Sequence, residues 1–327
     1  MSLQLYIVIG LALLFDFLNG IHDSSNIVAT MIASRAFRPH TALGLTAIAN
    51  FLGPFLFGVA VATTIGEEVA QSDALNLDVI IACLFGAIAW NLLTWFLGIP
   101  SSSSHALIGG MLGAVMAGAG FGAIKLHGLE KVIIALFTSP LLGFVFGFLF
   151  TRLIYFLIRN ASKGINEFFK RGQLVTALAM AFSHGTNDAQ KTMGIITLSL
   201  LIGGYINQFE VPIWVVTLSA AAIALGTALG GWRLIRTLGG RFYKIRPIHG
   251  FSTQLTSSFV ILSASFLGLP VSTSQVVSSA IIGVGSSESF GKVRWSVAEE
   301  IVTAWFITIP ASALVAAGVY WLILLFR

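Results

Sequence analysis

The sequence contains the segment NGIHDSSN at residues 19–26, and the segment HGTNDAQK at residues 184–191 is its counterpart. Aligned on their glycines, the segments place three pairs in register: Asn19 with His184, Asp23 with Asp188, and Asn26 with Lys191. Positions spaced i, i+4 and i+7 lie on one face of a helix. Both segments follow apolar runs, and an acid at bilayer depth is costly and marks a functional site by default. Two matched acids therefore predict a transport site at the interface of two structural repeats.

The composition excludes a soluble globular protein. Hydrophobic residues make up 56% of the 327-residue chain and charged residues 9%, whereas a soluble domain carries about 25% charged residues. A chain of this length can hold roughly ten spans of about 20 residues. We therefore predict an all-α integral membrane protein of the inner (cytoplasmic) cell membrane, in contact with the lipid bilayer.

The net charge of +5 does not indicate a nucleic-acid partner. The basic residues lie in short loops between apolar segments, where membrane orientation explains them. The N-terminus lacks the basic region of a signal peptide, so the first apolar run is interpreted as a membrane helix. The positive-inside rule then places the N-terminus outside the cell and the central connection in the cytoplasm.

The apolar segments that we expect to form helices are residues 3–33, 41–64, 78–98, 104–123, 130–158, 172–202, 212–232, 250–270, 274–286 and 297–325. The first is long for one straight span. Because the acid motifs interrupt the first and sixth segments, we expect these helices to be broken or unwound at Gly20 and Gly185. The exposed backbone carbonyls of such breaks could hold a cation.

A second pair of matched segments indicates an internal duplication. The segment GIPSSSSH at residues 98–105 corresponds to GLPVSTSQ at residues 268–275. An odd number of crossings separates the two acid motifs, so the repeats have opposite orientations in the membrane. The predicted organisation is a first membrane repeat at residues 1–158, a cytoplasmic linker at 159–171, and a second, inverted repeat at 172–327.

Each of these proline-led segments is predicted to be the tip of a re-entrant helical hairpin. Proline blocks helix continuation, and serine can bond the freed backbone groups. The N–H groups and the dipole of the following helix favour an anion. A lone hydroxyl in a membrane helix more often packs or bonds the preceding turn, but two runs in register suggest a cage for a tetrahedral oxyanion. Its hydroxyls are Ser102, Ser103, Ser104, Ser272, Thr273 and Ser274.

The acid motifs supply hard oxygen ligands. Asp23 and Asp188 could bind Na⁺ or carry a proton. Asn26 and Asn187 can coordinate a cation or donate to an anion. Lys191 either neutralises Asp188 or contacts the charge of the substrate.

Other polar residues of the apolar segments have weaker functional assignments. His22 and His184 are either packing residues or contacts for a proton or substrate. Asp16 lies two helical turns before Asp23 on nearly the same face and could extend an ion path. For Asn50 an interhelical hydrogen bond is favoured. For Gln254 a structural role and a role in the site are equally supported.

These motifs resemble those of the inorganic phosphate transporter (PiT) family, in its bacterial low-affinity phosphate permease branch. The family signature is a duplicated Gly-x-Asn/His-Asp element, which corresponds here to residues 20–23 and 185–188. The resemblance covers nearly the whole chain. It implies a secondary transporter, not an enzyme, that imports inorganic phosphate with a coupled cation. It also implies a homodimer with an elevator-like moving domain.

The resemblance assigns two groups of site residues. The implied phosphate ligands are the six hydroxyls at 102–104 and 272–274, and the implied cation and phosphate site contains Asp23, Asp188, Asn26 and Asn187. From their own side-chain chemistry, Lys191 is added as a candidate phosphate contact and Ser24 as a candidate cation ligand. The resemblance implies no cofactor beyond the coupling cation.

The chain departs from the family pattern in ways that leave Na⁺ and H⁺ both open as the coupling ion. Ser24 and Ser25 stand where small apolar residues are common, and Asn50 stands where some relatives carry glutamate. Gln275 replaces a frequent histidine. A carrier of sulfate or another tetrahedral oxyanion, a channel, and an intramembrane serine hydrolase built on residues 101–105 are the alternatives. Against the hydrolase, the chain has no Gly-x-Ser-x-Gly element.

Overall fold

The computed structural model describes residues 2–71, 74–162, 164–240 and 242–326, and the regular structure within them is helical. Short 3₁₀ helices at Gly53–Phe55, Phe121–Ala123 and Phe290–Lys292 accompany the α-helices. The α-helices are α1 (Leu3–Ala33), α2 (Pro39–Leu52), α3 (Ala60–Glu67), α4 (Leu77–Leu97), α5 (Ser103–Ala119), α6 (Leu126–Leu157), α7 (Ile165–Ile202), α8 (Ile213–Leu229), α9 (Trp232–Gly240), α10 (Pro247–Phe266), α11 (Thr273–Glu288) and α12 (Trp295–Leu325).

Nine of the ten predicted apolar segments each correspond to one α-helix, whereas residues 41–64 form two, α2 and α3. Not every helix is a simple span. Within the described residues, α1, α4, α6 and α12 are long and apolar enough to cross a membrane. Two bent pairs, α2 with α3 and α8 with α9, would raise that number from four to six. By contrast, α5 and α11 have only 17 and 16 residues, fewer than the roughly 20 that a straight span needs. The chain is therefore an all-helical integral membrane protein.

The prediction that the helices break at the acid motifs is wrong. α1 and α7 run without interruption through Gly20 and Gly185. The chain bends instead by 72° between α2 and α3 and by 69° between α8 and α9. The two glycines allow close packing, because a Cβ on Gly20 would collide with the Ile223 carbonyl oxygen and one on Gly185 with the Asn50 carbonyl oxygen. An intact helix also leaves no unwound carbonyls at these positions to bind a cation.

The packing of the first half recurs in the second half. α1 packs against α8 as α7 packs against α2, and α5 packs against α12 as α11 packs against α6. The close approaches recur as well, since Gly226 faces the Phe17 carbonyl and Gly53 faces the Phe182 carbonyl. Each half thus packs its principal helices against the other half, and the two halves interlock.

α1 and α7 run in opposite directions where they meet. Asp16 lies beside Thr192, and two turns further along α1 the Asp23 Oδ2 atom lies 3.4 Å from His184 Nε2. Residue numbers therefore rise along α1 as they fall along α7, which is the arrangement that inverted repeats predict. The connection between the halves is short, because α6 ends at Leu157 and α7 begins at Ile165.

Candidate functional site

The turns between α4 and α5 and between α10 and α11 bring the two hydroxyl runs together. Each turn ends in a serine that caps the next helix: Ser102 Oγ accepts from the His105 N–H at 3.0 Å, and Ser272 Oγ accepts from the Gln275 N–H at 3.4 Å. The two caps face each other, since Gln275 Nε2 lies 3.4 Å from the His105 ring. The N-termini of α5 and α11 therefore converge, and their dipoles favour negative charge between them.

The two acids meet at this point and share a hydroxyl group. Thr273 Oγ1 lies 2.8 Å from Asp23 Oδ2 and 2.8 Å from Asp188 Oδ2. Ser274 Oγ donates to Asp23 Oδ1 over 2.6 Å and accepts from Asn26 Nδ2 at 3.0 Å. The tip of the second half thus binds acids from both halves.

Lys191 connects the acids to the tips. Its ammonium group forms an ion pair with Asp188 and donates to Ser104 Oγ at 2.6 Å and to the Val271 carbonyl at 2.8 Å. The Val271 carbonyl also accepts from Ser104 Oγ, at 3.0 Å. Sequence reasoning missed Val271, because a backbone carbonyl leaves no signal in the choice of side chain. The two roles proposed for Lys191 are compatible, since it neutralises Asp188 and reaches both tips.

His184 is placed to carry a positive charge. Its Nδ1 atom lies 3.0 Å from Asn50 Oδ1, an acceptor, because Asn50 donates through Nδ2 to Thr227. Nδ1 therefore carries a proton. On the other side of the ring, Nε2 lies 2.9 Å from Asp188 Oδ2 and 3.4 Å from Asp23 Oδ2. Two carboxylate neighbours favour a proton on Nε2 as well, which makes the ring cationic.

The central cluster, defined as Asp23, Asp188, His184 and Lys191, is buried and electrically balanced. None of its side chains is more than 3% exposed. Two carboxylates and two cationic bases sum to no net charge, which is what a buried ionic group requires. Asp23, His184 and Asp188 also place ligand atoms within 4.8 Å of one another, but His184 would have to release its Nε2 proton before that nitrogen could bind a metal ion.

One hydroxyl beside the cluster is left without a partner. Ser103 is 4% exposed, and its Oγ atom makes no hydrogen bond to any described residue. Buried hydroxyls nearly always have a hydrogen-bond partner, so an unpartnered hydroxyl next to Ser104 and Lys191 is a candidate donor to a ligand. Ser103 is thus available to donate to an anion beside Lys191.

Asn187 and His22 occupy matching positions in the two motifs, but only Asn187 contacts a tip directly. Asn187 Nδ2 donates to the Leu269 carbonyl at 3.1 Å, and its Oδ1 atom accepts from the Val271 N–H at 3.3 Å. His22 Nδ1 lies 3.5 Å from Asp23 Oδ1, and its Nε2 atom lies 3.4 Å from Thr94 Oγ1 near the end of α4, which accepts from Ser101 Oγ at 2.8 Å. Asn187 therefore holds the second tip in place, and His22 reaches the first tip through Thr94.

Two predicted residues lie apart from the central cluster. Ser24 Oγ accepts from the Gly231 N–H at 2.7 Å, at the bend between α8 and α9. Gln254 bridges α7 and α1, accepting from Thr176 Oγ1 at 2.7 Å and donating to Thr30 Oγ1 at 3.1 Å. These bonds join helices, so the geometry supports structural roles for both.

Comparison with known proteins gives consistent matches. The sequence matches the profile of the phosphate transporter family at residues 19–167 and again at residues 158–316. It is 44% identical over 321 residues to the "Probable low-affinity inorganic phosphate transporter" of Bacillus subtilis (strain 168), covering 97% of this chain and 96% of that protein. A protein of the same name from Rhizobium meliloti (strain 1021) is 44% identical over 315 residues, which is 96% of this chain and 94% of that protein.

A solved structure shares the fold. It is described as "The sodium-dependent phosphate transporter", and it superposes on the whole of this chain with a TM-score of 0.91 at 24% sequence identity, with all of that chain covered too.

Proposed function

This chain belongs to the phosphate transporter family, and we propose that it imports inorganic phosphate across the cytoplasmic membrane by symport with Na⁺ or H⁺. The observation that carries the proposal is the position of Lys191. Its ammonium group is shared between the acid Asp188 and the two hydroxyl tips. A group in that position links an anion site to a cation site.

The anion half of the site is formed by the tips. Lys191 supplies a positive charge, Ser103 supplies an unused donor, and the N-termini of α5 and α11 supply oriented dipoles. These groups match a tetrahedral anion with several oxygen atoms. Asp188 beside it can accept a hydrogen bond from phosphate, which keeps a proton near neutral pH, but repels sulfate, which does not.

The cation half is formed by Asp23 and Asp188. When phosphate binds Lys191, the ammonium group must divide its charge between the anion and Asp188. The balanced cluster then carries excess negative charge in a buried site, which is costly. A cation at the carboxylates restores the balance, so each ligand stabilises binding of the other. This reciprocity is the physical basis that we propose for symport.

Transport also requires access from both sides. The cluster is buried and Asn187 holds the second tip in place, from which we infer an occluded conformation. We propose that one set of helices moves against a fixed scaffold, in an elevator-type cycle, within a homodimer. Two matches to the same family profile and the antiparallel crossing of α1 and α7 support an inverted duplication. The N-terminus is then outside and the central connection in the cytoplasm.

The serine hydrolase alternative has one supporting contact, since Ser102 Oγ lies 2.7 Å from His105 Nδ1. The same oxygen, however, is occupied as the cap of α5. The other side of the His105 ring faces Gln275, not an acid, among the residues that the structure describes. A nucleophile and base without an orienting acid are better explained as a cap.

The decisive experiment is uptake of labelled phosphate into proteoliposomes, with Na⁺ and pH gradients imposed separately. We expect one gradient to drive accumulation, and an equal concentration of sulfate to leave it unchanged. Lys191→Gln should abolish uptake. Lys131→Gln, which removes a half-exposed lysine paired with Glu68, is the matched control and should transport normally. Competition by sulfate, or uptake that neither gradient drives, would contradict the proposal.

A further inference from the structure

Asp16 is a buried acid that the proposed symport site does not use. It lies on α1, two turns before Asp23, and is 0% exposed. Neither of its carboxylate oxygens makes a hydrogen bond, and no ion pair among the described residues includes it. Buried polar atoms almost always have partners, and each exception calls for an explanation.

Two further unpartnered oxygens accompany Asp16. Thr192 of α7 lies beside the Asp16 carboxyl, but its Oγ1 atom makes no hydrogen bond of normal geometry to a described residue. Asn19 follows one turn later on the same side of α1, and its Oδ1 atom is likewise unpartnered. Both side chains are at most 2% exposed. The three residues, hereafter the Asp16 group, carry oxygen atoms without a partner of normal geometry among the described residues. Asp16 and Asn19 lie along α1 toward Asp23, and Thr192 faces Asp16 from α7.

The charges around the Asp16 group do not neutralise it. The charged groups that act on Asp16 are Asp188, His184 and Lys191 of α7, and these are paired within the central cluster. On α1 the neighbouring titratable residues are His22 and Asp23. α8 contains no titratable residue, and α4 contains only Asp78, near Gln4 at its far end, and Cys83. An ionised carboxylate left without a cation or donor is costly at this depth.

The group that fits here is a proton. A divalent metal ion would need more negative charge than one carboxylate supplies. Na⁺, whose single charge one carboxylate balances, is the competing occupant that the pH-gradient measurement separates from a proton. The acids that lie close enough to hold a metal ion together are in the central cluster, and Asp16 is not one of them in the described part of the chain. A proton needs only one oxygen of Asp16 and one acceptor, and Thr192 Oγ1 lies beside the Asp16 carboxyl.

The Asp16 group has no counterpart in the second half. When the motifs are aligned on Gly20 and Gly185, Ala181 corresponds to Asp16 and Ile27 corresponds to Thr192. Ala181 and Ile27 are buried members of one apolar cluster. The fold therefore tolerates an apolar pair at this position, and the packing of the helices does not require an acid there.

We infer that Asp16 is a proton-binding residue of the transport cycle, placed about 10 Å from Asp23 along α1. Its carboxylate takes up one proton to become a neutral carboxylic acid, which donates to Thr192, and later returns that proton. Asp16 lies on the side of the central cluster that faces the N-terminus of α1, and we assign it to the proton pathway on that side alone. The inference rests on the proposed function and assigns the proton as a coupling ion.

The test compares two transport modes in proteoliposomes that contain Asp16→Asn. Accumulation driven by a pH gradient requires the proton, whereas exchange of labelled external phosphate for internal phosphate requires only the central site. We expect Asp16→Asn to lower proton-driven accumulation at least about tenfold, within the usual range of coupling effects. Exchange should stay within about threefold of the unmodified protein. Asp78→Asn, which alters a buried acid that accepts a hydrogen bond from Gln4 at 3.2 Å, should preserve both modes.

A second measurement begins with the unmodified protein and uses Asp16→Asn only in samples whose phosphate exchange shows the variant to be folded. Infrared difference spectra of the unmodified protein, recorded across a pH step, should contain the C=O band of a protonated carboxylic acid, and Asp16→Asn should remove that band. Full accumulation in Asp16→Asn, or loss of exchange in a folded variant, would overturn the inference, as would the absence of the band. If the unmodified protein accumulates no phosphate under any gradient, the proposed function itself fails.

Discussion

Asp23 and Asp188, which come from different halves of the chain, lie on opposite sides of one hydroxyl group: Thr273 Oγ1 is 2.8 Å from a carboxylate oxygen of each. The Thr273 hydroxyl has a single proton, so the two carboxylates share that proton in one three-centre hydrogen bond. The second tip is thus attached to the acids through Thr273 and Ser274, and to Lys191 through Val271. A change at the acids reaches the tip directly.

Loss of the shared hydroxyl should weaken phosphate binding. Thr273→Ala removes the donor between the two acids and a predicted ligand of the anion. We expect phosphate affinity to fall by about 1.5–3 kcal/mol, the usual value of a hydrogen bond to a charged group. Thr273→Ser, which keeps the hydroxyl, is the control. Equilibrium binding of labelled phosphate to purified protein measures both, and equal affinity in all three proteins would refute a role for this hydroxyl.

Removal of either acid should end coupled uptake without unfolding the protein. In Asp188→Asn, Lys191 loses its ion partner and the central cluster gains net positive charge, so phosphate binding should no longer depend on the cation. Titration of phosphate in the presence and absence of the driving cation tests this. Asp23→Asn should abolish coupled uptake, and Glu68→Gln, at a half-exposed surface pair, should not. Cation-dependent binding in Asp188→Asn would show that Asp188 does not couple the two ligands.

The glycines of the acid motifs should be required for stability. Gly185→Ala and Gly20→Ala each place a Cβ against a backbone carbonyl of a neighbouring helix, and overpacking of this kind costs about 1–3 kcal/mol. A Cβ on Gly10, in the same helix as Gly20, meets no described atom within 4 Å. Thermal unfolding in detergent should therefore show lower midpoints for the first two variants and no loss for Gly10→Ala. An unchanged midpoint for Gly185→Ala would argue against the close crossing of α7 with α2.

Release of the second tip should expose the site. Asn187→Ala removes the bonds to the Leu269 carbonyl and the Val271 N–H. In a Cys83→Ala background, which contains no other cysteine, a Val271→Cys reporter should react with a polar thiol reagent several-fold faster when Asn187 is replaced, because local opening becomes easier. Gln254→Ala, at a bridge between α10 and its neighbours, should not change the rate. Equal rates with and without Asn187 would mean that other contacts hold the tip.

The sequence predicts the positions of the helices and the meeting of the two acids with the second tip better than it predicts how the glycines are used. The sequence predicts α1 at residues 3–33, and the helix spans Leu3–Ala33. The agreement is close because the ends of the apolar run fix the ends of the helix. The meeting of Asp188 with Thr273 follows from the duplication. A glycine such as Gly20, however, is compatible both with a break in a helix and with close packing of a neighbouring helix. The sequence does not distinguish the two, because the distinction depends on where the backbone of α8 lies. The Val271 carbonyl leaves no trace in the choice of side chain.

Because the helices of each half pack against helices of the other half, the order in which the chain is synthesised affects how it folds. α6 is synthesised before α11, the helix that packs against it, so the first half enters the membrane with that face still uncovered. Neither half has its full set of neighbours alone. Under the inverted duplication that we propose, an ancestor with a single copy of the repeat would have needed a second molecule in the opposite membrane orientation to complete its packing. Fusion of the two genes would then have joined the copies in one chain and allowed each to change separately, as the difference between Asp16 and Ala181 suggests.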